Sequence, residues 1–288
     1  MLHLHTEKKL SKKHSILESQ ICKPFLRWAG GKRWLLKQID SLLPLSGFKQ
    51  YHEPFLGGGA ILFHLNPNIS FISDINGELI NAYLAVKEDV SLVITYLKKF
   101  QNNKEKYYQI RNSTYKCDYQ KAAQFIYLNQ MSFNGIYRVN SKGEYNVPYG
   151  YRDKYQFDYS NLVVVSSFLK KVNISKGDFY DAIGNVKKGD LVFLDPPYTV
   201  AHDNNGFIEY SKKIFSYEDQ KRLSQFIGQI KEVGAYYIMT NANHISLKEI
   251  FNIHKDNILE VERNSLIGGF GAKRGKYHEI IMTNGEKG

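Results

Sequence analysis

Cysteine is almost missing from this chain of 288 residues: Cys22 and Cys117 are the only two. Two distant thiols make neither a disulfide framework nor a thiolate metal cluster, so a reducing, cytoplasmic setting is expected. No apolar run approaches the ~18 residues of a spanning helix. The opening MLHLHTEKKLSKKH has no apolar centre of the kind a secretory leader needs. No membrane partner is therefore expected. Nine histidines occur without HExxH spacing, and no serine sits in a GxSxG elbow. The usual marks of zinc-assisted and serine-based hydrolysis are thus lacking, and no metal site is expected. Carboxylates are also few, 28 against 39 Lys and Arg, and the formal charge of +11 favours a polyanionic partner, nucleic acid first. The 21 tyrosines fit that partner, because rings among cations suit stacking on bases.

What is present alternates strand-like apolar runs with helical stripes. Residues 1–20 carry Lys8, Lys9, Lys12 and Lys13 and read as a basic flexible tail. Gly30-Gly31-Lys32 is a tight turn before a helix-like stretch, Arg33–Leu43, where amides and Lys32 suit a carboxylate or phosphate. The spacing is not that of a P-loop. Tyr51–Leu65, YHEPFLGGGAILFHL, reads as a short strand, three glycines and a helix opening at Ala60. A second strand, Ile69–Ser73, ends in Asp74. Strand, glycines, helix, strand and acid together suit a nucleoside-containing cofactor, with the acid on ribose hydroxyls. Gly57-Gly58-Gly59 lacks the GxGxxG of nicotinamide and flavin sites.

From Glu78 to about Gln130 the pattern is helical, dense in Tyr and Lys, with Asp118 as the cap of its last helix. Ser141-Lys142-Gly143 then lies between two β-leaning runs and predicts a hairpin. It carries Phe133, Asn134, Arg138 and Lys142, and a ribbon of this size can enter a DNA groove. The α/β pattern resumes with a helix at Ser160–Leu169 and strands at Val172–Ser175 and Leu191–Leu194. Ser216 and Asp219 form a capping box before the stripe Leu223, Phe226, Ile227 and Ile230, which Gly234 ends. Tyr236–Thr240 and His278–Thr283 read as strands, and Gly268–Gly275 as a basic loop, a candidate lid or DNA contact.

The chain is organised around GDLVFLDPPY, Gly189–Tyr198. The apolar run Leu191–Leu194 is the signature of a strand buried on both faces. Asp195-Pro196-Pro197-Tyr198 ends it with a stiff backbone, at the strand end where open α/β sheets bind ligands. A carboxylate and a carbonyl there can accept both protons of an exocyclic amino group, while Tyr198 stacks on its ring. The plainer reading is an acidic turn after a core strand. Methyl transfer from a sulfonium donor needs no metal or nucleophilic side chain, only an oriented amine lone pair. Methylating a pyrimidine ring carbon would need a thiolate, and neither Cys22 nor Cys117 follows such a strand.

WAGGK (Trp28–Lys32), EPFLGGG (Glu53–Gly59), DING (Asp74–Gly77), FNGIYRVNSKGEYNVPYG (Phe133–Gly150) and DPPY (Asp195–Tyr198) together resemble the Dam-type DNA adenine methyltransferases. That family includes the modification enzymes of GATC-recognising restriction systems. The resemblance runs from about Pro24 to Asn284. It implies a mostly parallel seven-stranded α/β sheet, Rossmann-like with its last strand antiparallel, and a helical plus β-hairpin DNA-recognition insert. It divides the chain into a catalytic domain at 21–84 and 160–288 and an insert at 85–159. S-adenosylmethionine is the implied cofactor, leaving as S-adenosylhomocysteine. Trp28, Lys32, Phe55, Gly57, Gly59, Asp74 and Asp195 are the implied cofactor contacts, and Asp195, Pro196, Pro197 and Tyr198 the catalytic motif. Phe133, Asn134, Arg138 and Lys142 are the implied DNA contacts. Related enzymes can carry Arg where this chain has Lys142, and Lys makes no bidentate fork to guanine. Double-stranded DNA is the implied partner, with a monomer acting on it and a restriction endonuclease sharing the site. The alternatives are an RNA or protein-amide methyltransferase and a non-catalytic DNA-binding protein on the same fold.

Stacking needs a ring face rather than a hydroxyl. From sequence alone, Tyr198→Phe is therefore expected to keep most methyl transfer to duplex DNA. Tyr198→Ala should lose about 5- to 150-fold in single-turnover rate. An alanine variant as fast as the parent would refute stacking.

Overall fold

The computed structural model describes residues 22–198, 215–264 and 276–285. The basic tail expected over residues 1–20 and the loop Gly268–Gly275 lie outside them. By compactness the chain forms two units: Met1–Gly31, Gly58–Asn66 and Asn81–Lys171; and Lys32–Gly57, Pro67–Ile80 and Val172–Gly288. No helix of the described residues is long and apolar enough to cross a membrane.

The second unit holds the sheet. Its strands are β1 (Tyr51–Glu53), β2 (Ser70–Asp74), β3 (Val172–Lys176), β4 (Leu191–Leu194), β5 (Tyr236–Ala242), β6 (Asn257–Asn264) and β7 (Lys276–Thr283). The order is β3-β2-β1-β4-β5-β7-β6, and β7 alone runs against its neighbours. This is the mostly parallel seven-stranded sheet that the resemblance implies. All four residues of β4 are buried, which explains the unbroken apolar run. Strand order reverses between β1 and β4, so Asp195 emerges at the switch point of the sheet. The helix Tyr217–Val233 starts at a capping box made by Ser216 and Asp219 and stops at Gly234, φ 80°. Leu223, Phe226, Ile227 and Ile230 pack it into one core with Val192, Leu194, Tyr237, Met239, Ile280 and Met282.

The first unit is helical: Ala60–Leu65, Lys104–Arg111, Asp118–Met131 and Tyr159–Leu169 lie in it. Its core is aromatic, with Tyr107 against Tyr127 and Tyr149, and Phe63 against Tyr83 and Phe168.

Three expectations change. The stretch Arg33–Leu43 forms two 3-10 turns, Arg33–Lys37 and Ile39–Leu42, because Gln38 at φ −132° breaks the helical path between them. Asp118 is not a cap: Cys117 occupies that position without a side-chain bond, and Asp118 pairs with Lys121 inside the first turn. The hairpin has no regular strands. Two isolated antiparallel bridges, Ser132 with Tyr149 and Val139 with Tyr145, hold it. Asn134 and Gly135 take left-handed backbone (φ 55° and 64°), which interrupts any ladder. The turn itself is tight, since the Asn140 side chain accepts from Lys142 N and Glu144 N. The helix Ile245–Phe251 and strand β6 were not anticipated.

A buried pair crosses the sheet: His52 Nε2 lies 2.9 Å from Asp190 Oδ2, and the ring stacks on Phe71. Burial holds the His52 imidazole below its ordinary value of 6.5, against the opposing pull of Asp190. Burial and Lys231 lower His254 similarly. A histidine neutral when folded but protonated when unfolded costs stability as pH falls below 6.5. Urea titrations should show a falling midpoint as the pH drops below that value. His52→Gln should flatten the fall without abolishing it, since His254 contributes as well. A slope unchanged by His52→Gln would clear His52 of that role.

Candidate active site

The two prolines after β4 hold Asp195 and Tyr198 on a stiff segment. Lys32 Nζ is 2.6 Å from Asp195 Oδ1, with the two side chains 4% and 20% exposed. The Thr240 hydroxyl, on β5, donates to the same oxygen at 2.9 Å. The Lys32 ammonium also stands 5.0 Å from the centre of the Tyr198 ring. At the far end of that ring the hydroxyl donates to Glu279 Oε2 at 2.7 Å. Glu279 is buried on β7. Burial pushes the Asp195 carboxyl above the ordinary carboxylate range, while Lys32 and Thr240 pull it back and Glu279 adds to the rise.

A second acid lies at the end of β2. Asp74 Oδ2 accepts from Gly57 N at 3.1 Å and Oδ1 from Asn76 N at 2.9 Å. Burial raises its carboxyl, and the amides of Asn76, Gly57 and Ile75 oppose the rise. Asn76 in turn accepts from Glu78 N and Leu79 N, fixing the start of the helix that follows. Phe55 stacks on Phe179 at 5.1 Å and meets Phe215 edge-on. Asp178, which caps the turn Phe179–Asn185, pairs with Arg222.

Within the first unit, Trp28 stacks on Tyr137 of the ribbon, centroids 6.0 Å apart and planes 16° from parallel. Arg27 N and O bond the Asn129 side chain, and its guanidinium donates to Ser132 O at 3.2 Å. Gly135 is required there: a Cβ would lie 2.4 Å from Arg27 Cβ. Phe133, Asn134, Arg138 and Lys142 are all exposed on the ribbon. Arg138 Nε donates to Asn146 Oδ1 at 2.8 Å. Gly59 has φ 64°, beside Tyr83 and Phe63.

The structure thus joins Lys32, Asp195 and Tyr198 in one network and Gly57 with Asp74 in another. Thr240, Glu279 and Phe179 were not singled out from sequence. Thr240 and Glu279 did leave a trace, as polar residues bordering apolar strand runs, which burial tolerates only with partners.

The family described as D12 class N6 adenine-specific DNA methyltransferase matches residues 28–267. The chain belongs to that family. It is similar to the Type II methyltransferase M1.LlaDCHI of Lactococcus lactis subsp. cremoris, 37% identical over 91% of this chain and 95% of that one. It is similar to the Type II methyltransferase M.MjaIII of Methanocaldococcus jannaschii, 40% identical over 91% and 99%. A DNA adenine methylase of Vibrio cholerae is 28% identical over 89% and 94%. In this D12-class methyltransferase Lys32, Asp195 and Tyr198 form a residue network with Thr240 of β5 and Glu279 of β7.

Gly59→Ala should destabilise the enzyme, since it adds left-handed strain and a Cβ 2.9 Å from the Tyr83 hydroxyl oxygen. Gly30 has φ 80° with nothing within 4 Å of a Cβ, so Gly30→Ala isolates the strain, about 1–2 kcal/mol. Urea denaturation should show the larger loss for Gly59→Ala. Equal losses would mean that Tyr83 and Phe63 yield freely.

Proposed function

We propose that this methyltransferase modifies the exocyclic amino nitrogen of an adenine turned out of duplex DNA, within GATC, by direct in-line transfer. The observation that carries the reading is Asp195, a half-buried carboxylate at the sheet's switch point that Lys32 and Thr240 both hold by Oδ1. The GATC assignment rests on the likeness of Phe133–Gly150 to GATC-modifying enzymes.

The residues present fit S-adenosylmethionine. Asp74 accepts from the Gly57 and Asn76 amides on different oxygens and keeps acceptor capacity for ribose hydroxyls. Lys32, Phe55, Gly57 and Asp195 accompany it in the second unit, and the resemblance adds Trp28 and Gly59. The donor supplies an electrophilic methyl group on a positive sulfur and leaves as S-adenosylhomocysteine.

The chain's own residues orient the amine. Asp195 Oδ2 and the Pro196 carbonyl accept the two amino protons, which keeps the lone pair on nitrogen rather than spread into the purine. Pro197 stiffens the segment, and Tyr198 stacks on the extruded base. Asp195 receives the surplus proton, a role that suits a carboxyl whose proton affinity burial has raised. Residues 85–159 serve as the recognition insert, through Phe133, Asn134, Arg138 and Lys142. The enzyme works as a monomer, with a restriction endonuclease as its counterpart on the same site.

Incubation with labelled S-adenosylmethionine and random-sequence duplex, followed by mapping of the modified adenines, should return GATC. Label on RNA or protein acceptors alone would overturn the reading. Lys142→Ala should weaken all DNA sequences alike and reduce the salt slope by about one unit. Lost discrimination at a single base position would instead make Lys142 a base reader.

A further inference from the structure

Glu279 poses a question that the methyl-transfer chemistry leaves unanswered. It is a carboxylate that directly precedes the apolar run Ile280–Met282 of β7, opposite Ala242 of β5 and Val261 of β6, and it is buried. Neighbouring Ile280, Ile281 and Met282 are core residues. A charge in such a place is costly unless it holds a partner. One partner is the Tyr198 hydroxyl, 2.7 Å away.

That contact completes the fixing of one ring. Pro196 and Pro197 stiffen the backbone at its near end. Glu279 anchors the far end, which fixes the long axis of the phenol. Rotation about that axis is the freedom left, and the Lys32 ammonium 5.0 Å from the ring centre sets the plane by attraction to the π face. The ring that is proposed to stack on the base is thereby held at its hydroxyl by Glu279, on one face by Lys32 and by packing against the core.

We propose that Glu279 is a positioning residue for methyl transfer, acting through the Tyr198 hydroxyl to hold the ring at the angle on which the target adenine stacks. The inference rests on the proposed adenine methylation. It also revises the expectation that Tyr198→Phe keeps most activity, because that expectation gave the hydroxyl no partner.

The test is a double-mutant cycle read by single-turnover methylation of one duplex, with the affinity for S-adenosylmethionine measured by calorimetry. Glu279→Met and Tyr198→Phe should each slow transfer about tenfold, the loss of a hydrogen bond to a charged group, with cofactor affinity unchanged. The double variant should be no slower than either single, since each removes the same contact. Glu279→Gln keeps an acceptor oxygen and should recover most of the rate. Multiplicative losses in the double variant, or Tyr198→Phe at the parental rate, would overturn the proposal. Tyr198→Phe keeps the test decisive if Glu279→Met does not fold. A parent that methylates adenine while the cycle fails leaves the functional reading standing and removes only the role of Glu279. A parent that methylates no adenine removes both.

Discussion

The contact between Lys32 and Asp195 is the constraint on which the site depends. Both side chains are largely withdrawn from water, so neither charge is tolerable alone, and breaking such a pair by removing one partner costs about 3–5 kcal/mol. The pair ties the turn that opens at Lys32 to the end of β4. It also offsets the burial that drives Asp195 towards its neutral form. The carboxylate is thus kept as an acceptor by a cation that simultaneously borders Tyr198. A single ammonium therefore serves the acid and the ring of the same motif.

Much of the sheet was legible because burial on both faces leaves a simple mark. Leu191–Leu194 is a strand in the sequence and in the structure, and the capped, striped helix after Ser216 is as plain. Strand β6 was not legible: its segment, NILEVERN, is charged as sheet edges often are, which hides the apolar alternation. The ribbon misled in the other direction, since its turn chemistry is right but left-handed residues at Asn134 and Gly135 prevent regular strands. At the site, Asp195 and Tyr198 were readable because one motif holds them together. Thr240 and Glu279 were not, because strand register brings them there, and register between distant segments is not written in local spacing.

The tyrosine content carried a second lesson. Its abundance beside a basic charge suggested rings for stacking on bases, yet Tyr51, Tyr83, Tyr107, Tyr127 and Tyr237 are fully buried. Their hydroxyls are spent inside, Tyr107 on Val147 O, Tyr127 on Gln101 O and Tyr237 on Asp256. Tyrosine here is first a core residue with a built-in hydrogen bond, and among the described residues only a few rings, Tyr151 and Tyr217 among them, are well exposed. Composition pointed to the right class of partner for a reason that covers only part of the rings.

Trp28 has a use outside chemistry. The chain has two tryptophans, and this one lies face to face with Tyr137 of the ribbon while Arg27 beside it bonds the backbone at the ribbon's base. Any rearrangement of the ribbon must change what this indole stacks on. The protein therefore contains its own optical gauge: the emission of a native fluorophore, with no label attached, follows the seating of the ribbon.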